Sequence, residues 1–220
     1  MSTINHIVDK SKVLILGNGY IGSAFNDVGY TTLGKEELNI TDSLHPYELR
    51  RIKDAIAPFD VVINCIAKTD TKWSEKPENF ESLMKTNAYL VQMLSNECKL
   101  QNKKFIHIST GDLYGNIFAC QECKENLETS TKLDANTNYR LSKLVGEKFC
   151  HPNDLILRIR LPFDARNHPK NLLVKSKNYA NFYSHVNMFT YIPDLINAVE
   201  ILIDKNESGI FNIVQPEARS

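Results

Sequence analysis

Lys12-Val-Leu-Ile-Leu-Gly-Asn-Gly-Tyr-Ile-Gly22 is the segment that most strongly indicates the fold class. Its first half is an unbroken apolar run, as a strand buried on both faces requires, and it leads directly into a glycine loop. Because the three glycines carry no side chain, the chain can turn tightly and let a pyrophosphate approach the amides that open the next helix. This order of elements predicts a dinucleotide-binding unit. The predicted cofactor-binding residues in it are Gly17, Gly19, Tyr20, Ile21 and Gly22.

Outward from this stretch, apolar strands alternate with helical stretches along the rest of the chain. Such alternation predicts a parallel, doubly wound α/β sheet of the Rossmann type. Further strands are predicted over residues 29–33, 60–66, 104–109, 154–160 and 209–214, and helices over residues 20–28, 43–57, 77–100, 137–150 and 193–205. We expect residues 1–160 to form the NAD(P)-binding domain and residues 161–220 a short, reduced substrate-binding lobe.

The composition excludes several classes of protein. Lys and Arg together number 26, and so do Asp and Glu, so no overall field favours nucleic acid or an acidic membrane surface. No apolar run approaches the ~20 residues of a membrane helix, and residues 1–12 lack the apolar stretch of a secretory signal. We therefore expect a soluble, cytoplasmic protein with small ligands and without nucleic-acid or membrane partners.

The cysteines do not indicate a disulfide framework or a metal site. There are five, an odd number, and they are scattered along the chain. Cys120 and Cys123 form a lone Cys-x-x-Cys pair, whereas a structural zinc ion needs four ligands. His107 lies within an apolar run and is interpreted as a core or strand histidine. We expect no bound metal.

Tyr139 and Lys143 stand four residues apart downstream of the glycine loop. On a helix this spacing places both side chains on one face, where the ammonium group would stabilise a phenolate and lower the tyrosine pKa from its usual ~10. A tyrosine tuned in this way exchanges protons with a sugar hydroxyl or ketone. The same spacing also occurs in solvated helix pairs, but its position after a nucleotide loop favours a catalytic role.

The choice between NADP and NAD depends on the residues that follow the second strand. The acidic residue that usually binds the ribose diol is not clearly in place there. Lys35 is positioned to meet a 2'-phosphate, whereas Glu36 or Glu37 would serve a diol if the strand ended later. We favour NADP(H), with NAD(H) as the alternative.

Several segments between Gly17 and Lys143 resemble the extended short-chain dehydrogenase/reductase family, in its nucleotide-sugar branch. Residues 39–42, Asn-Ile-Thr-Asp, and residues 64–67, Asn-Cys-Ile-Ala, are similar to its cofactor-binding segments, and Asn87 to its structural asparagine. Residues 109–115 resemble the strand end whose second position holds the catalytic hydroxyl. The resemblance implies that Thr110, Tyr139 and Lys143 are catalytic and that Asp42, Asn64 and Ala67 bind the cofactor, together with Tyr139 and Lys143.

Within that branch, the later segments resemble the rhamnose-forming reductases of dTDP- or UDP-linked 4-keto-6-deoxy sugars. The similar segments are residues 72–75, 157–162, 167–175 and 187–190. The resemblance implies a nucleotide-sugar substrate, NAD(P)H-dependent reduction and pairing of two copies into a homodimer. Residues implied to bind the substrate are Trp73, Asp112, Arg160, Asn171 and Lys175. Arg158 is a further candidate for the sugar nucleotide, with a structural role for Arg158 and Arg160 as the alternative.

Two departures from these relatives leave other functions open. Asp112 stands where members that also epimerise carry a cysteine, so either it replaces the thiol as an acid or base, or the protein only reduces. The chain also ends six residues after the last predicted strand, as a compact variant or as a piece of a longer protein would. The alternatives are a nucleotide-sugar epimerase or dehydratase that retains NAD, and a non-catalytic cofactor-binding protein.

Overall fold

Six parallel strands form the central sheet. The computed structural model describes residues 8–38, 46–115, 133–181 and 187–215. The strands run β1 Val13–Leu16, β2 Thr31–Leu33, β3 Val61–Asn64, β4 Lys104–Thr110, β5 Leu155–Ile159 and β8 Gly209–Ile213. Their order in the sheet is β2-β1-β3-β4-β5-β8, with every neighbouring pair parallel. The predicted doubly wound parallel sheet is confirmed.

Helices cover both faces of this sheet. They are α1 Tyr20–Asp27, α2 Lys35–Leu38, α3 Pro46–Ile56, α4 Thr71–Ser74, α5 Phe80–Met84, α6 Leu90–Leu100, α7 Asn138–Lys148, α8 Leu172–Ser176 and α9 Ile192–Asp204. The predicted helices lie close to these bounds. The short helices α2, α4 and α8 were not predicted, because four or five residues carry too little periodicity. Within the described ranges, no helix is long and apolar enough to cross a bilayer.

The burial of β1 on both faces of the sheet explains why every residue of this strand is apolar. Successive strand residues point to opposite faces, and both faces of this strand are buried. Val13 and Ile15 pack in one apolar cluster with residues of α1 and α9, whereas Leu14 and Leu16 pack in another with residues of α3 and α6. The apolar run of β1 therefore fills both faces of the sheet at this strand.

The predicted helix over residues 77–100 is interrupted in the middle. A 3-10 turn at Pro77–Asn79 leads into α5, and a π-helical segment, Lys85–Tyr89, joins α5 to α6. This segment contains Asn87, and its backbone packs so tightly on α7 that a Cβ atom on Gly146 would overlap the Asn87 carbonyl oxygen. The interruption sets the side chain of Asn87 toward Lys68 and Ser142, to which it is hydrogen-bonded.

Several of the described residues after 160 pack with the central sheet. Strand β8 is the sixth strand of the central sheet, and α9 packs in the same apolar cluster as α1. Only the segment between β5 and α9 leaves the sheet, where β6 Pro162–Phe163 and β7 Thr190–Tyr191 form a second, parallel pair. Strand β5, before the predicted boundary at residue 160, is paired with β8, after it, so backbone hydrogen bonds of the central sheet cross this boundary.

Replacement of Gly146 by alanine should destabilise the fold by about 1–3 kcal/mol because the added methyl group overpacks the contact with Asn87. A glycine-to-alanine change inside a helix is otherwise stabilising by roughly 1 kcal/mol, so the sign is diagnostic. Urea unfolding measures the change. Gly19→Ala is the matched control, because a Cβ atom there meets nothing within 4 Å. Equal effects of the two variants would contradict the close packing.

Candidate active site

The glycine loop lies where the strand order reverses, between β1 and β3. At such a point the helices leave the sheet in opposite directions and open a crevice at the carboxyl ends of the strands. Gly17 has a φ of +100°, and a Cβ atom on it would come within 3.0 Å of the Ile66 amide nitrogen. Gly22 abuts the Gly17 carbonyl, whereas the space above Gly19, the N-cap of α1, is open. The loop therefore presents backbone amides to an open crevice.

The end of β3 forms the other side of this crevice. Asn64 is fully buried, and its Oδ1 accepts a hydrogen bond from the Ile66 amide at 3.0 Å, which closes a tight turn. The Cys65 amide donates to the Leu16 carbonyl at 2.8 Å and holds this turn beside β1. Ala67, partly buried, follows directly. The predicted cofactor residues of β1 and β3 are thus brought together at one edge of the sheet.

Helix α7 positions the predicted catalytic pair. Thr137 caps its first turn by accepting from the Arg140 amide at 3.2 Å. Ser142, on the buried face, receives a hydrogen bond from Asn87 at 3.0 Å and donates to the Tyr139 carbonyl at 2.7 Å. The face that carries Tyr139 and Lys143 therefore lies against the π-helical segment and β4 rather than in solvent.

Lys143 is buried, with 2% of its surface exposed. Its Nζ atom lies 2.9 Å from the Ile108 carbonyl oxygen and 3.2 Å from Nε2 of His107. Burial lowers the pKa of Lys143 to about 8, although the charge of Glu147 acts in the opposite direction. The helix pair is therefore not a solvated one, and the amine titrates near the physiological range.

The predicted effect of Lys143 on Tyr139 differs from what the structure shows. Burial raises the pKa of Tyr139 to about 12, while a hydrogen bond with the Thr110 hydroxyl acts to lower it. Asp112 raises this pKa further and Arg160 lowers it. The prediction that Lys143 lowers the tyrosine pKa was wrong for this state, because the amine turns to β4 and the phenol is desolvated.

Thr110 ends β4 and faces Tyr139. Its Oγ1 accepts from the Asp112 amide at 3.1 Å, which begins a 3-10 turn over Gly111–Tyr114. The same hydroxyl is hydrogen-bonded with the Tyr139 phenol. Thr110 and Tyr139 thus form a hydroxyl pair at the carboxyl edge of the sheet.

Asp112 is held between two arginines. Arg140 Nε donates to it at 2.9 Å, and the Arg160 guanidinium pairs with its other oxygen. Burial opposes ionisation, but the hydrogen bonds from Arg140 and the charge of Arg160 outweigh it and hold the pKa of Asp112 below its usual range. Arg140 was not singled out in the sequence, although it lies inside the Tyr-x-x-x-Lys motif. The geometry makes Asp112 an ionised clamp rather than a proton donor.

The other residues predicted to bind substrate have different surroundings. Lys68 Nζ lies 4.7 Å from the ring centroid of Trp73, which is partly buried, and Lys175 is exposed on α8. Arg160, besides its pair with Asp112, donates to Asn187 at 3.2 Å. None of these contacts assigns a ligand to Trp73, Arg160 or Lys175, and their role in substrate binding stays a prediction.

Two candidates are buried and hydrogen-bonded within the protein. Arg158 is 1% exposed and donates to both carboxylate oxygens of Glu147, at 3.0 and 2.6 Å, and to the Tyr114 hydroxyl at 2.7 Å. Asn171 is equally buried, and its amide nitrogen donates to the Asp164 and Arg166 carbonyls. These internal hydrogen bonds favour the structural alternative for Arg158. The role of Asn171 in substrate binding stays a prediction.

A cluster around Tyr20 was missed in the sequence. The Tyr20 hydroxyl donates to Asp164 at 3.0 Å, and its ring stacks on His168 with centroids 4.8 Å apart. Arg166 donates to the Tyr20 carbonyl at 2.8 Å and to Asp164 at 2.6 Å. Tyr20 therefore joins the segment after β5 to the glycine-loop helix. No local sequence pattern signals a contact over 144 residues.

The segment after β2 carries the residues that are predicted to distinguish NADP from NAD. Lys35 is exposed and opens α2, directly after β2 and Gly34. The Glu37 carboxylate accepts from the Gly34 amide at 2.8 Å, which engages one of the two acidic alternatives. Asp42 and the pair Cys120 and Cys123 lie outside the described residues. Among the residues that are described, no group of three or more His, Cys, Asp or Glu could hold a metal ion.

Residues 13–153 match the family described as the NAD dependent epimerase/dehydratase family. The matched range runs from the start of β1 to the start of β5 and includes every predicted catalytic residue. The match therefore covers both the glycine loop and helix α7.

Solved structures of similar proteins share this fold. A dTDP-4-dehydrorhamnose reductase from Clostridium acetobutylicum gives a TM-score of 0.76 at 23% identity, over 94% of this chain and 75% of that one. The dTDP-4-dehydrorhamnose reductase of Bacillus anthracis, solved with NADP, gives 0.75 at 19% identity over the same shares. The L780 UDP-rhamnose synthase of Acanthamoeba polyphaga mimivirus gives 0.74 at 20% identity, over 94% and 76%. Aligned by sequence, L780 is 24% identical over 93% of this chain and 74% of its own length.

Replacement of Asp112 by asparagine should lower the free energy of unfolding at pH 7 by about 1–3 kcal/mol, because two arginines lose their carboxylate partner. The folded pKa of Asp112 lies below its unfolded value of about 3.9, so the stabilisation is present above that pH and is lost as the pH falls through the folded pKa. Urea unfolding of both proteins from neutral to acidic pH measures the difference, which should narrow toward acid.

Asp54→Asn is the control for this experiment. Asp54 is exposed on α3, so its neutralisation should change stability by less than about 0.5 kcal/mol at any pH. A difference between wild type and Asp112→Asn that stays constant with pH would show that the ion pairs are not the cause.

Proposed function

Because the chain belongs to the NAD dependent epimerase/dehydratase family, we propose that it reduces the keto group of a nucleotide-linked 4-keto-6-deoxy sugar with a nicotinamide cofactor. The observation that carries the proposal is the convergence of Thr110, Tyr139 and Lys143 beside the glycine-loop crevice. The likeness to two dTDP-4-dehydrorhamnose reductases and a UDP-rhamnose synthase supports this substrate class. The 4-keto sugar is the compound that the reductases' names specify.

The cofactor-binding residues are those of the crevice edge. Gly17, Gly19 and Gly22 allow the pyrophosphate to approach the amides at the start of α1, with Tyr20 and Ile21 fixing that start. Asn64 and Ala67 line the opposite side, and Asp42 is proposed to stand beside the adenine. The bound nicotinamide supplies the hydride, and the protein supplies orientation and the proton.

Tyr139 is the proton donor in this proposal. Its raised pKa keeps the phenol protonated at neutral pH, so a proton is available when the carbonyl oxygen gains negative charge. The Thr110 hydroxyl, which is hydrogen-bonded with this phenol, donates to the same oxygen when substrate is bound in this proposal. Lys143 stabilises the phenolate that remains and, as the family resemblance implies, orients the nicotinamide ribose. Acid catalysis of this type contributes roughly 100- to 10,000-fold.

Asp112 does not serve as an acid in this scheme. The carboxylate of Asp112, held by Arg140 and Arg160, is ionised and has no proton to donate. Its protonation would break both ion pairs. We therefore propose reduction without epimerisation at Asp112. Its place beside Tyr139 instead contributes negative charge that keeps the phenol protonated.

The substrate lobe is proposed to be the segment between β5 and α9, with the cofactor domain formed largely by residues 1–160. Arg160, Trp73 and Lys175 are the proposed contacts to the nucleotide sugar, since cationic and aromatic side chains suit phosphates and bases. The cluster of Tyr20, Asp164 and Arg166 ties this segment to the glycine loop. A homodimer is the proposed assembly, formed through the helices that hold Asn87 and Tyr139.

The proposal is tested by oxidation of NADPH and NADH against a panel of dTDP- and UDP-linked 4-keto-6-deoxy sugars. Wild type should oxidise the cofactor with at least one of them, and Tyr139→Phe should lower kcat by roughly 100- to 10,000-fold, because the proton donor is lost. Cofactor affinity, measured by fluorescence titration, should be retained.

Tyr89→Phe is the matched control, because Tyr89 is 44% exposed and lies outside the crevice. It should keep wild-type turnover. Wild-type turnover by Tyr139→Phe would remove the tyrosine from the mechanism. Purification with tightly held nicotinamide, without net cofactor oxidation on any sugar, would favour a cofactor-retaining epimerase.

Lys35→Ala should reduce the preference for NADPH over NADH by about tenfold in kcat/KM, because the loss of one phosphate contact costs about 1.4 kcal/mol. NADP(H) is the proposed cofactor because Lys35 is exposed beside the end of β2 while Glu37 is engaged with Gly34. Lys99→Ala, at the far end of α6, is the control and should leave the ratio unchanged. An unchanged ratio in Lys35→Ala would exclude Lys35 from the choice of cofactor.

A further inference from the structure

A buried chain of hydrogen bonds leads from the backbone of β3 to Lys143. The Ile66 amide donates to Asn64 Oδ1 at 3.0 Å, Asn64 Nδ2 lies 3.2 Å from His107 Nδ1, and His107 Nε2 lies 3.2 Å from Lys143 Nζ. Asn64 and His107 are both 0% exposed, so protein groups alone must satisfy them. Which group donates and which accepts along this series of hydrogen bonds therefore depends on its two ends, the Ile66 amide and Lys143 Nζ.

The backbone end of the chain is fixed. An amide N–H only donates, so Asn64 Oδ1 accepts from Ile66 and Asn64 Nδ2 donates to His107 Nδ1. A neutral imidazole that accepts at Nδ1 carries its proton on Nε2 and donates there. The group that receives this bond must be an acceptor. The uncharged amine of Lys143 has a lone pair, whereas its ammonium form has only donors.

Protonation of Lys143 places a donor at both ends of the chain. His107 then has to accept at Nε2 and carry its proton on Nδ1, which faces the Asn64 amide nitrogen. Reversal of the Asn64 amide removes that clash only by turning Nδ2 toward the Ile66 N–H. In either arrangement two hydrogen-bond donors face each other, and a buried donor without an acceptor lowers the stability of the fold.

His107 itself stays neutral. Burial and the charge of Lys143 hold the pKa of His107 well below its usual value. Among the described residues, the other titratable groups that act on Lys143 are Cys65 after β3 and Glu147 and Cys150 at the end of α7. Glu147 is paired with Arg158 at 2.6 Å, so its charge is largely neutralised. Tyr139 lies one turn earlier on the same helix and is neutral.

We propose that Asn64 and His107 are positioning residues that favour the uncharged amine of Lys143 and couple its protonation to a change of tautomer at His107. In this coupled step the Nε2 proton of His107 passes to Lys143 Nζ, and a proton from solvent is taken up at His107 Nδ1. In the proposed function, the ammonium form of Lys143 stabilises the phenolate of Tyr139. These hydrogen bonds therefore set the pH above which Lys143 loses its charge and hydride transfer fails. The catalytic part of this inference rests on the proposed function, whereas the tautomer change does not.

Nitrogen-15 NMR of the histidine rings of the cofactor-free protein tests the tautomer directly. His107→Gln assigns the signal by its loss. Over a titration from about pH 10 to about pH 6, His107 should change from the Nε2–H to the Nδ1–H form with a midpoint near the Lys143 pKa of about 8. A single tautomer across this range would overturn the proposal. Because this measurement uses wild type and no substrate, it stands whether or not the reductase assay succeeds.

Asn64→Asp reverses the polarity of the chain. A carboxylate accepts from both the Ile66 amide and His107 Nδ1–H, so His107 is held in the Nδ1–H form and Lys143 remains charged. We expect the alkaline limb of the kcat profile to move upward by about one pH unit or more. Asn212→Asp, on β8, is the control, since Tyr114 donates to its Oδ1 and a carboxylate preserves that bond.

The control should leave both the tautomer titration and the alkaline limb unchanged. An Nε2–H signal that persists at high pH in Asn64→Asp would overturn the proposal. An unmoved alkaline limb would overturn the part that concerns hydride transfer. If Asn64→Asp does not fold, the wild-type titration decides the tautomer change by itself.

Discussion

The packing of helix α7 against β4 and the π-helical segment is the constraint on which the chemically active part of this protein depends. Three contacts on its inner face fix it: Gly146 against the Asn87 carbonyl, Glu147 against Arg158, and Lys143 against the Ile108 carbonyl. The same face carries Tyr139, so the phenol is placed by contacts made one to two turns away. Stability and site geometry are therefore properties of one helix interface, and a change that loosens it acts on both.

Charge at the site is arranged in two separate groups. Asp112, Arg140 and Arg160 form a partly exposed cluster on the solvent side of Tyr139, whereas Lys143 and His107 lie beneath it in the core. The first group keeps its charges because they are paired. The second tends to lose its charge because burial disfavours it. Asp112 in the first group raises the pKa of Tyr139 and thereby favours the phenol over the phenolate.

Local patterns predicted much of this arrangement. The apolar run of β1, the three glycines and the alternation of elements predicted the sheet and its parallel strands, because burial of both sheet faces requires such runs. The spacing of Tyr139 and Lys143 predicted a shared helix face. What the patterns missed depends on distant partners: Arg158 and Glu147 pair across the core, and Tyr20 meets Asp164 from 144 residues away. The wrong pKa direction for Tyr139 has the same origin, since desolvation is set by neighbours that are not local in sequence.

Glycine and polar residues that follow apolar runs mark the carboxyl ends of β1, β3 and β4, so the residues at these ends could be predicted locally. The groups that these residues face depend instead on how distant elements pack together. His107, in sequence one polar position in an apolar strand, lies between Asn64 and Lys143 because the strand order puts β4 beside β3 and α7 packs over both. Hydrogen-bond polarity and burial arise from such juxtapositions, and no local pattern encodes them.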